Sequence, residues 1–143
     1  MDYLAAGGVL LYSWVLFVLF GWSESLHWFY MVKSKTKRPV TYEHSLWAAM
    51  RIIFHIPAIV ILAMYWSWFT ILGVVGLIAM SFFMHDGMYY TMRNKWDGVY
   101  PLKWKAYSLT STAKMTFDWE FRRNVFIWGL IFYCFMFMSK VPV

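Results

Sequence analysis

From Leu4 to Gly21 the chain carries no charged residue, and 18 residues rising ~1.5 Å each make a helix of roughly 27 Å, about the thickness of a bilayer core. No other feature constrains the fold as strongly. In lipid such a segment must satisfy its own backbone hydrogen bonds, which for a single span means an α-helix. Three further apolar segments follow, at about 41–65, 67–93 and 113–139. The expected fold is all-α: an integral membrane four-helix bundle, one membrane domain over 1–143, with the first helix at about 4–32.

Composition points the same way. With 62% of residues hydrophobic and 14% charged, a soluble domain of this size would leave too much apolar surface in water. The net charge of +6 raises nucleic acid as a partner, but the basic residues fall between the apolar runs and not along one face. The expected partner is the lipid bilayer, with no nucleic acid. The residues before Leu4 include no basic cluster, and the run after them is too long for a signal h-region, so the first helix is read as retained. The single cysteine, Cys134, excludes an internal disulfide.

Charge distribution sets the expected topology. Lys33, Lys35, Lys37 and Arg38, then Pro39, end the first helix, while Arg93, Lys95, Lys103, Lys105 and Lys114 mark the segment after the third. These nine basic residues place the loops at about 33–40 and 94–112 in the cytoplasm and both termini on the other side. A bacterial inner membrane is the default host. Thr41 is the expected N-cap of the second helix, and Ser108–Thr112 offers caps for the fourth. Pro57 predicts a mild kink, Tyr65–Trp68 an aromatic anchor at a tight turn, and Gly73 and Gly76 a close helix approach.

Ionisable groups are costly near lipid, so the adjacent His85 and Asp86, in the second half of an apolar run, form a candidate site. The other spans contribute Glu24 and His27; His44, Arg51 and His55; and Asp118, Glu120 and Arg122. In antiparallel hairpins, residues equidistant from the turn share a depth. That places His85 level with about Ala48, His27 with about Leu46 and Glu24 with about Ala49, so all four helices feed one cytoplasm-side layer. His44, Arg51 and His55 also fall within roughly 40° of one helix face.

The plain alternative is that these residues mark the headgroup boundary, with Asp118 and Arg122 pairing at i and i+4 and Arg123 meeting lipid phosphate. The ordering argues otherwise. Lysine, the ordinary boundary residue, lies farther out, and imidazole, carboxylate and guanidinium lie nearer the lipid core.

Several chemistries fit such a layer. Glu24, His27, His44, His85, Asp86 and Glu120 offer nitrogen and oxygen donors suited to a divalent metal, zinc or iron. The layer could instead take an anionic ligand, held by Arg51, His55 and Arg122. The chain has a single Glu-x-x-His and four histidines, so it supports neither a symmetric di-iron site nor a desaturase His-box set. A b-type haem between His27 and His85 ranks below a simple ion.

Proton conduction, or a holin-like homo-oligomer, uses the same residue types, although no charged group lies between His55 and His85 on the central hairpin. An accessory or structural subunit of a larger membrane complex requires no site at all. A lipid-active enzyme would use His85 with Asp86 as base and orienter, but no phosphatase, acyltransferase or CDP-alcohol motif accompanies them, and no reaction is assigned.

Overall fold

The computed structural model describes residues 2–33, 40–96 and 117–138. Among these the chain forms α1 (Asp2–Lys33), α2 (Val40–Trp66), one turn of 3-10 helix (Ser67–Phe69), α3 (Thr70–Trp96) and α4 (Trp119–Met138). All four α-helices are long and apolar enough to cross a membrane. The fold is therefore a four-helix bundle of membrane-spanning type, as the apolar runs require.

α3 is the central element, packing along α1 on one side and α4 on the other, while α2 rests mainly on α1. Glycines allow the α3–α4 crossing: a Cβ on Gly76 would lie 2.5 Å from the Gly129 carbonyl oxygen, and one on Gly129 would lie 2.7 Å from that of Gly76. The expectation for Gly76 is met, with Gly129 supplying the partner. The buried core includes Phe17, Leu62, Trp66, Met80, Tyr133 and Met136. Within it the Tyr133 hydroxyl donates to the Ala6 carbonyl at 2.9 Å, tying α4 to the start of α1. The opposite surface of each helix is apolar and exposed, as at Leu4, Ile52, Ile71 and Trp128, the face a lipid-bathed helix presents.

The 3-10 turn between α2 and α3 is closed by Thr70, whose hydroxyl donates to the Leu62 carbonyl in the last turns of α2 at 3.0 Å. The aromatic patch at this turn divides: Trp68 is exposed, but Trp66 is buried in the core. α2 runs unbroken through Pro57 and starts at Val40, one residue before the expected cap Thr41.

Two boundaries correct the sequence reading. α3 continues three residues beyond Arg93, to Trp96, and Arg93 is only 1% exposed, so this cation belongs to the bundle and not to a loop. α4 is capped by Asp118, whose Oδ1 accepts from the Phe121 amide at 2.7 Å. Ser108–Thr112, the caps expected there, lie outside the described residues, as do 34–39 and 97–112 of the two basic loops.

Candidate functional site

Gly21 sets up the site. A Cβ there would strike the backbone carbonyl oxygen of His85, so α1 reaches α3 at a separation only glycine permits. Glu24, one turn further along α1, is thereby set beside the His85 ring. Its Oε2 lies 3.0 Å from His85 Nε2, and both side chains are 6% exposed. The opposite ring nitrogen, Nδ1, lies 2.8 Å from Oδ1 of the neighbouring Asp86.

α4 closes one end of this chain. Arg122 reaches Asp86 Oδ2 through its NH1 at 2.7 Å, donates from Nε to the Phe117 carbonyl at 3.0 Å, and stands 5.3 Å over the Tyr90 ring. α2 closes the other end. Arg51 places NH1 3.4 Å from His85 Nε2 and NH2 4.0 Å from Glu24 Oε2, with its Nε donating to the Trp47 carbonyl at 3.3 Å. The indole of Trp28 lies 3.4 Å from the second Glu24 oxygen, Oε1. One polar chain thus runs Arg51, Glu24, His85, Asp86, Arg122 and takes at least one member from every helix.

Two carboxylates face two guanidiniums, so the layer is neutral with a neutral imidazole and carries one positive charge with an imidazolium. An ionised carboxylate only accepts hydrogen bonds, yet carboxylates stand at both ring nitrogens. Hydrogen bonds on both sides therefore require a proton on each nitrogen, or a proton on one of the carboxyls. The buried middle, Glu24 and His85, is flanked by partly open ends, with the side chains of Arg51 32% and Asp86 29% exposed.

The remaining sequence candidates are placed differently. His27 sits three residues beyond Glu24 with its ring edge-on to Trp28 and Trp47, at 5.5 and 5.8 Å between centroids. His55 is buried between α1 and α2, stacked on Phe17 at 4.8 Å, with Nδ1 2.7 Å from the Arg51 carbonyl oxygen. Since that oxygen can only accept, Nδ1 carries the proton. Glu120 is exposed in the first turn of α4, where its charge suits the helix dipole. Asp118 caps α4 and Arg122 turns to Asp86, so the expected Asp118–Arg122 side-chain pair does not form. The side chain of His44 lies outside the described residues.

Among the described residues no three His, Cys, Asp or Glu side chains gather around one point. The reason is geometric: Glu24 and Asp86 stand on opposite edges of the imidazole, and each faces a guanidinium instead of a shared cavity. An iron axial bond from His85 would likewise have to displace a partner from one of its nitrogens.

Trp28 is a residue of the layer that the sequence reading missed: its indole reaches Glu24 Oε1 from four positions along α1, and that spacing was the available signal.

Fold and layer together define the class: a multi-pass helical membrane protein with an internally neutralised charge network between its spans. No family model matches the chain, and no curated protein and no solved structure matches it either.

Proposed function

We propose that the charge layer is a proton-binding site, and that the protein works as a small multi-pass membrane protein that holds and exchanges one proton between its helices. The observation that carries this reading is the placing of a carboxylate at each nitrogen of His85. That arrangement is complete only with a proton shared along Glu24, His85 and Asp86, and imidazole between acids is a usual intramembrane relay part. Asp86, the more exposed of the two carboxylates, is where the proton enters. In the topology read from the basic loops, the layer lies toward the cytoplasm and both termini lie opposite.

A metal or an anionic ligand is supported less well, since the donors such a ligand needs are already directed at each other. A conducting path is also less well supported: among the described residues the buried polar groups toward the other membrane face include His55, Ser13, Thr70 and the Tyr133 hydroxyl, and His55, Thr70 and Tyr133 each bond a backbone carbonyl instead of one another. The layer is best read as a terminal proton site, in the protein alone or as a subunit of a larger membrane assembly.

Infrared difference spectra of the protein in lipid, recorded between the acid and alkaline limits of the folded state, test the reading. Paired imidazole and carboxyl bands, with the imidazole bands shifting on 15N-histidine labelling, are expected. Unchanged bands across that range would make the layer a static fastener between helices. Stoichiometric zinc or iron in the purified protein would replace the proton reading with the metal one.

A further inference from the structure

Arg51 and Glu24 compete for the same atom. His85 Nε2 lies 3.0 Å from Glu24 Oε2, which can accept a hydrogen bond, and 3.4 Å from Arg51 NH1, which can only donate one. With a proton on Nε2 the nitrogen donates to Glu24, and Arg51 meets an N–H it cannot bond. Without that proton the lone pair accepts from Arg51, and Glu24 Oε2 faces a lone pair instead of a donor. A donor for Glu24 is then close by, in Arg51 NH2 at 4.0 Å, while Trp28 retains Oε1 at 3.4 Å as a pivot.

We infer that the proton on His85 decides which helix Glu24 holds: α3 through His85 when the proton is present, α2 through Arg51 when it has left. The inference rests on His85 exchanging a proton, as proposed above. The groups facing His85 are Glu24 from α1, Arg51 from α2, Asp86 and the Tyr89 ring from α3 itself and, through Asp86, Arg122 from α4. Arg122 is held in both states, because Asp86 keeps its Nδ1–H partner and Phe117 keeps the guanidinium Nε.

The element free to respond is α2. Only 17% of its apolar stretch is buried, against 33% in α1 and in α3. Its far end is fixed at the 3-10 turn by Thr70 and Leu62, and its middle is tied to α1 where the Tyr12 hydroxyl donates to the Phe54 carbonyl at 2.9 Å, so the segment carrying Arg51 responds by a small displacement about these two ties. Loss of the proton draws that segment toward α1 and α3, and its return releases it. Helix displacements at packed interfaces of this kind are on the order of 1–2 Å. The device thus converts the charge state of one imidazole into the docking of one helix.

Solid-state NMR of the wild-type protein in lipid bilayers, with 15N-labelled histidine and arginine and 13C-labelled glutamate, reads both steps in one sample series. The expected result is that His85 Nε2 loses its proton signal as pH rises while the Arg51 guanidinium to Glu24 carboxyl cross peak strengthens at least twofold. If His85 titrates and that cross peak stays constant, the handover is overturned and the proton site stands. If His85 keeps one protonation state from the acid to the alkaline limit of the folded protein, the proton reading falls, and the handover with it.

Discussion

Glu24 Oε2 and His85 Nε2, 61 positions apart in sequence, lie 3.0 Å from each other in the least exposed part of the layer. This contact makes α1 and α3 interdependent, because neither group is stable at that depth without the other. Breaking a buried pair by removing one partner leaves an uncompensated charge, which typically costs about 3–5 kcal/mol.

His85→Phe should accordingly destabilise the protein by about 3 kcal/mol or more, since it removes the hydrogen-bond partner of Glu24 and of Asp86 at once. His55→Phe is the matched control. It keeps the aromatic stack on Phe17 and gives up one hydrogen bond to the Arg51 carbonyl, so its cost should stay within about 1 kcal/mol. Reversible unfolding in detergent micelles, with both variants measured side by side, checks the contrast. Equal costs would mean that the layer contributes no more than ordinary packing.

The pairing of Asp86 with Arg122 is testable by a double-mutant cycle on Asp86→Asn and Arg122→Gln. Arg122 is buried, but Asp86 is partly open, so the coupling should be about 1–2 kcal/mol and not the full value of a dry ion pair. A coupling indistinguishable from zero would remove α4 from the network.

Gly21→Ala should destabilise the protein and weaken every contact of His85, since the new methyl group meets backbone and not a flexible side-chain end. Gly8→Ala, on the same helix with open space around its Cα, should be neutral or stabilising by up to about 1 kcal/mol. If α1 approaches α3 through Gly21, the thermal unfolding midpoint falls for Gly21→Ala and does not fall for Gly8→Ala.

Asp118→Ala removes the cap of α4 and should cost about 1 kcal/mol, whereas Asp118→Asn should cost only a few tenths. The same pair of variants separates capping from ion pairing. If Asp118 instead served as the counter-charge of Arg122, the asparagine variant would be as damaging as the alanine one.

The depth of the layer was legible from the sequence to within about one helical turn. Counting from the hairpin turns placed Glu24 and His85 near residues 48 and 49, and in the structure both meet Arg51. His27 was placed near Leu46 and packs against Trp47. Depth follows from helical rise and turn position alone, which is why it can be counted.

Azimuth was harder to read. His55 shares a face with Arg51, yet its imidazole turns back to its own helix and stacks on Phe17, because a carbonyl at i−4 is always within reach. Asp118 and Arg122 look like an i, i+4 pair, but a carboxylate at a helix start finds the free amides of the first turn first. The donor set suggested a metal because residue types alone do not reveal that the two carboxylates would be separated by the imidazole ring. Arg93 has the sequence position of a topology marker, since arginine at the end of a span serves that purpose more often than it is buried, yet it is 1% exposed.

The most direct test of the central claim is a carbon–nitrogen dipolar measurement between the Glu24 carboxyl carbon and His85 Nε2 in lipid bilayers. The account predicts a strong through-space coupling near neutral pH, together with carboxyl and imidazole signals that exchange little with bulk water. A Glu24 carboxyl with no coupling to His85 and in free contact with water would contradict it.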